Sequence, residues 1–117
     1  MANLDDLLTA AKNIVTAING VNVTMRANIG TLTSPTLITD TVIATKPGRL
    51  VNFAVTVTGS GNGEIHNAST VATATAANLL VIVPQTLGVV DVGQAFTAGL
   101  VYIRGTGQSA NVTYYLG

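Results

Sequence analysis

The sequence predicts a mainly β chain: an antiparallel β-sandwich, jelly-roll-like, preceded by one amino-terminal α-helix. Three observations predict it. Apolar residues recur at helical spacing in one place only, between Asn3 and Asn19. After Gly20 the composition shifts to Thr, Val, Asn and Gly with alternation of period two, the signature of half-buried strands. Turn signals then divide the remainder into seven or eight short runs, the spacing of a sandwich rather than of strands alternating with helices.

The helix reads "NLDDLLTAAKNIVTAIN". Asn3 can cap it, Asp5 and Asp6 fall in the first turn where the helix dipole favours anions, and Gly20 is placed as a stop. Leu4, Leu7, Ala11, Ile14 and Ile18 follow alternating steps of three and four, the a/d spacing of a coiled-coil seam, and Leu8 and Val15 widen the stripe. Two packings satisfy this pattern: the helix against its own domain, or a bundle of the same helix from several copies. Residues 1–20 are therefore assigned to a helix that oligomerises or anchors, and residues 21–117 to the sandwich.

Within the sandwich, "RLVNFAVTV" (Arg49–Val57) places Val51, Phe53, Val55 and Val57 on one face and Asn52, Ala54 and Thr56 on the other. Further strands are expected at Asn22–Asn28, Thr36–Thr45, Gly63–Asn67, Leu79–Val83, Leu87–Val92, Leu100–Arg104 and Asn111–Leu116. Turns are expected at Pro35, at "KPG" (46–48), at "GSGNG" (59–63), at Pro84 and at "GTGQ" (105–108). The low-complexity segment Ala68–Asn78 fits either strand or ordered loop.

Composition excludes several classes of function. The 117 residues suffice for one modest core, and the absence of cysteine removes disulfide scaffolds, thiolate nucleophiles and Cys-based metal sites. Charged residues are only 9% of the chain and sum to zero, so no basic face can collect phosphates and no nucleic-acid partner is expected. A surface so poor in charge suits a protein whose faces are covered by other copies or by a larger shell. The longest strongly apolar run, "LLVIV" (79–83), is far below the roughly 20 residues of a membrane-spanning helix, so no membrane partner is expected. The start "MANLDDLL" lacks the basic residues of a secretory signal, which points to a protein made in a cytoplasm.

The candidates for chemistry are few. Glu64 and the single histidine, His66, stand two apart on one predicted strand and so share a face, but a metal or acid-base site needs more groups. The expected reading is a solvent-facing polar pair, which Asp40 and Asp91 would have to join in space to make a site. The clusters "GSGNG" and "GTG" lack the following helix and the lysine of phosphate loops, and read as hairpin turns. Three N-x-Ser/Thr sequons, at Asn22, Asn67 and Asn111, are near the number expected by chance, about two. No catalytic residue, cofactor or metal is expected. Of the aromatics, Tyr114 is expected in the core and Tyr115 at a subunit contact, where Arg104 could also reach a neighbouring copy.

"KPGRLVNFAVTV" together with "IVPQTLGVVDVGQAFTAGLVYIRGTGQSANVTYYLG" resembles a β-sandwich module of structural proteins of tailed bacteriophage virions, of the head-decoration and head-fibre type. The matching positions are Pro47, Gly48, Arg49 and Leu50, then Phe96, Gly99, Leu100, Gly105, Thr106, Gly107, Gln108, Val112 and Tyr114. The resemblance covers roughly the last 70 residues and leaves the helix outside. It implies a non-enzymatic virion component displayed on a capsid or fibre, commonly trimeric, with the major capsid protein or another virion protein as partner. In a homotrimer, Leu4, Leu7, Leu8, Ala11, Ile14, Val15 and Ile18 would carry the helix contact. The alternative is a tail-fibre or receptor-binding module whose loops touch host-surface glycans.

Overall fold

The computed structural model describes residues 3–29 and 32–117, and within the helix the side chains as far as Val21. Helix α1 spans Leu4–Ile29. Asn3 caps it: its Oδ1 accepts from the Asp6 amide at 2.9 Å, and its own amide donates to Asp6 Oδ2 at 3.4 Å. The helix does not stop at Gly20, and the strand expected at Asn22–Asn28 is helical. The physical reason lies in Gly20 itself. One interior glycine costs about 1 kcal/mol, and Gly20 does not take the positive φ of the left-handed cap that ends a helix.

Eight strands follow: β1 (Leu32–Thr33), β2 (Thr41–Ala44), β3 (Gly48–Val57), β4 (Gly63–His66), β5 (Leu79–Val83), β6 (Gly88–Phe96), β7 (Leu100–Ile103) and β8 (Ser109–Leu116). They form two four-stranded antiparallel sheets, ordered β1-β8-β3-β6 and β2-β7-β4-β5. The pairs β1 with β8, β2 with β7, β3 with β6 and β4 with β5 are those of one long hairpin rolled into two layers, the winding of a jelly roll. Between β4 and β5, the Ala68–Asn78 segment is neither strand nor plain loop. It carries two short 3-10 turns, Val71–Thr73 and Ala76–Asn78.

The core lies between the sheets and is built on Phe53, Phe96, Tyr102, Leu50, Ile65 and Leu100, all buried. Its pattern on β3 departs from simple alternation. Val51 is an extra residue against β8, because Leu50 faces Tyr114 while Asn52 already faces Thr113. Such a bulge inverts the parity of the strand, so Leu50 and Phe53 both reach the core although they are three apart. Val57, expected on the core face, is half exposed.

The molecule measures 71 × 27 × 20 Å. A 26-residue helix is about 39 Å long and the ten-residue β3 about 33 Å, so the two placed end to end account for the long dimension. Helix α1 meets the sandwich at β3 and β8.

Candidate functional site

The most exposed apolar surface belongs to α1. Leu4 is 80% exposed, and Leu7, Leu8, Ile14, Val15, Ile18 and Val21 are each more than half exposed. Ala11 lies in the same stripe and is also exposed. Of the two packings open to the sequence, the helix is not laid on its own domain. Its passage through Gly20 adds Val21 to the seam, so that a positions Leu4, Ala11 and Ile18 alternate with d positions Leu7, Ile14 and Val21, about two and a half heptads of coiled-coil spacing. Val21 escaped sequence reasoning because it lies beyond the glycine taken as the stop.

The Glu64 and His66 pair exists, but it does not face solvent as expected. His66 is buried, with Nε2 2.8 Å from Glu64 Oε2 and Nδ1 2.9 Å from Asn78 Oδ1. Asn78 is oriented by its surroundings: Oδ1 also accepts from the Thr75 amide, and Nδ2 donates to the Thr73 carbonyl. Both ring nitrogens therefore face side-chain oxygens. The expected polar face is covered by the 68–78 segment, which His66 ties to β4. Neither aspartate joins the pair. Asp40 accepts from the Arg104 amide at 2.8 Å, and Asp91 lies on β6 in the opposite sheet. Among the described residues no group of three or more His, Asp or Glu is placed to hold a metal ion.

The two glycine clusters, both read as turns, pack on each other. The Ser60 amide donates to the Thr106 carbonyl at 2.8 Å, and the Gln108 amide closes the turn on the Gly105 carbonyl at 2.9 Å. A Cβ at Gly105 would strike the Gly61 carbonyl, and one at Gly59 would strike that of Thr106. Glycine is required there because two backbones touch.

Behind this turn is a polar clamp that sequence reasoning missed. Gln108 is fully buried; its Oε1 accepts from the Tyr102 hydroxyl at 2.7 Å, and its Nε2 donates to the carbonyls of Val83 and Pro84. Burial pushes the Tyr102 hydroxyl above its ordinary pKa, against the opposing pull of the Arg104 charge and of the Gly105 backbone. No local signal marks Gln108, since a glutamine after a glycine turn reads as solvent-facing.

Arg104 is engaged within its own chain, its Nε donating to the Gln108 carbonyl. Tyr114 packs against the core cluster while remaining partly exposed, and Tyr115 is half-buried opposite Arg49. Two small hollows are present: one of about 230 Å³ among Thr33, Ser34, Leu37, Thr41, Val42 and Tyr114, and one of about 390 Å³ bordered by Lys46, Pro47, Leu116 and Gly117. Neither gathers convergent charged groups. Comparison with family models, curated proteins and solved structures found no match to this chain.

Proposed function

We propose that this chain is a structural protein of a bacteriophage particle, decorating the head as a homotrimer whose sandwiches form the exposed body and whose helices form the core of the assembly. The observation that carries the proposal is the apolar stripe of α1 from Leu4 to Val21, left open to solvent in the single chain. Each of its large aliphatic side chains contributes roughly 1.5 to 3 kcal/mol when buried. Parallel dimers favour β-branched residues at a with leucine at d; here d holds Leu7, Ile14 and Val21 and a holds Leu4, Ala11 and Ile18, so β-branched residues take two of the three d positions and only one of the three a positions, which favours trimers over dimers. Ala10 and Ala17 at g, with Leu8 and Val15 at e, extend the stripe beyond a two-helix seam and leave no charges there to specify a different partner. The jelly roll supports the same reading by analogy, since it recurs in capsid proteins, and the resemblance of the last 70 residues points the same way.

Light scattering at micromolar concentration tests the assembly: a particle of three times the 11.9 kDa chain is expected, and Ile14→Asp should reduce it to the single chain. A wild-type monomer would remove the trimer. Immunogold labelling of intact particles tests the location, with label expected on heads; label confined to tails would overturn head decoration.

A receptor-binding role retains one local feature, the open hollow beside the "KPG" turn, where Tyr115 lies against Gly117. Glycan-array binding lost on Tyr115→Ala would favour it. The "GSGNG" loop offers it less, because that loop is packed on the closing turn.

A further inference from the structure

We propose that residues 68–78 form a lid over the outer face of one sheet, latched by Asn78 to His66, and that this lid opens as a unit while both sheets stay folded. The lid is independent of the trimer proposed above.

Strands β4 and β5 are antiparallel neighbours, and a hairpin between such strands needs only about two to five residues. Residues 67–78 join them here, and the two ends of this segment meet, the Asn67 amide donating to the Asn78 carbonyl at 2.9 Å. A surface loop closed at its base in this way is an Ω-loop, a form often used for function.

What the segment covers follows from the register. On β7, Leu100 and Tyr102 belong to the core between the sheets, so Val101 between them points to the opposite, outer face. Val101 pairs with His66, which follows the core residue Ile65 on β4 and so shares that outer face. Outward residues of a two-layer sandwich are expected to be polar and to meet water, yet Val101 and His66 are 0% and 2% exposed. The 68–78 segment supplies the cover. Asn78 bonds to His66, the Val71–Thr73 turn lies against β7, and a Cβ at Gly99, just before β7, would strike the Ala68 carbonyl.

This cover is held by few contacts. Neither 3-10 turn buries a residue, and Ala68 is the one buried residue of the segment. Thr70 and Thr73 bond to each other, the Ala74 amide donates to the Val71 carbonyl and the Asn78 amide to the Thr75 carbonyl, so these bonds travel with the segment. Among the described residues, the hydrogen bonds that join residues 70–78 to β4 and Asn67 are both made by Asn78: its carbonyl accepts from Asn67, and its Oδ1 meets His66 Nδ1. The hinge at Asn67 is fastened separately, its Oδ1 accepting from the Thr97 and Ala98 amides and its Nδ2 donating to Thr97 Oγ1. A segment with few buried apolar contacts and exposed hydrogen bonds opens at a lower free energy than the core. Beneath it, β4, β5 and β7 stay paired and remain packed through Ile65, Val83 and Tyr102 on their inner face. Glu64 holds the other ring nitrogen of His66, so the imidazole stays on β4 when the lid leaves. Opening therefore bares His66 and Val101 on an intact sandwich.

The cysteine-free chain permits a direct test in the full-length protein. Val101→Cys puts a thiol under the lid, and Val112→Cys puts an equally buried one in the core between the sheets. Both are labelled with a small aromatic disulfide reagent across a urea series. Val101→Cys is expected to react at least about tenfold faster than Val112→Cys and with little dependence on urea, because lid opening exposes little surface. Adding Asn78→Ala is expected to speed the Val101→Cys reaction at least about tenfold and to keep that weak dependence. Hydrogen exchange of the unsubstituted chain gives a second reading that no variant can disturb. The amides of Asn67, Ala74 and Asn78, each bonded within residues 67–78, should exchange with little urea dependence, while those of β3 follow global unfolding. A Val101→Cys thiol that shares the rate and steep urea dependence of Val112→Cys, or one common urea dependence for all these amides, would overturn the lid. A Val101→Cys thiol as reactive as one at exposed Thr70 would overturn the cover, and labelling unchanged by Asn78→Ala would overturn the latch.

Discussion

Gln108 shows how much a single side chain can hold in this protein. Its amide joins β5, β7 and the closing turn, and its Oε1 accepts from the buried Tyr102 hydroxyl. Gln108→Ala is expected to cost about 3 kcal/mol, because a buried donor or acceptor left unpaired costs about 1 to 3 kcal/mol, and urea unfolding would measure it. Tyr102 adds a pH dependence with a definite sign. Its folded pKa is raised above the ordinary value of 10.0 by burial, so below pH 10 the phenol is protonated in both states and its contribution to stability is complete. As pH rises beyond 10, the unfolded chain loses the proton first and stability falls through the raised folded pKa. Denaturation midpoints across pH 9 to 12 should show a steeper alkaline loss in the wild type than in Tyr102→Phe, by the linkage just described. At the closing turn, Gly105→Ala drives a methyl into the Gly61 carbonyl and is expected to destabilise by about 1 to 3 kcal/mol, read as a lowered Tm.

Among elements, α1 and the 68–78 segment carry the clearest consequences. Gly20 lies at a c position outside the apolar seam, and a methyl added there meets open space. Gly20→Ala is therefore expected to stabilise the helix by about 1 kcal/mol, seen as increased helical circular dichroism and a tighter trimer, with the sandwich unchanged. The same glycine explains why the helix is longer than its sequence suggests: a glycine marks a helix end only where it adopts positive φ, and Gly20 does not. The 68–78 segment was illegible for a different reason. Its alanines favour helix and its threonines strand, so local preferences conflict, and its shape depends on Asn78, whose partners Thr73, Thr75 and His66 lie up to 12 residues away.

For the whole molecule, the scarcity of charge becomes a prediction about assembly. Trimer contacts through α1 would be almost entirely apolar, since the stripe carries Leu, Ile, Val and Ala. Association of this kind is little affected by ionic screening. The dissociation constant is expected to change less than about threefold between low salt and 0.5 M sodium chloride, measured by sedimentation equilibrium. A strong weakening with salt would point to charged contacts instead. Location on a particle belongs to this scale as well, because an exposed apolar helix acquires a role only when its partners are present.

The sequence by itself determined the class of the fold, the places of β3, β4, β5, β7 and β8 within a residue or two, and the apolar stripe of α1. These depend on periodicity and on turn residues, which act over a few positions and are written in the chain. It also identified the glycine clusters as turns, from the absence of a lysine and a following helix. Only the tertiary structure decided the winding of the sheets, the contact between the two turns, the burial of His66 against Asn78 and the polar clamp at Gln108. Each joins groups from separate strands or loops, and their closeness depends on how the hairpin rolls up, which no local pattern encodes.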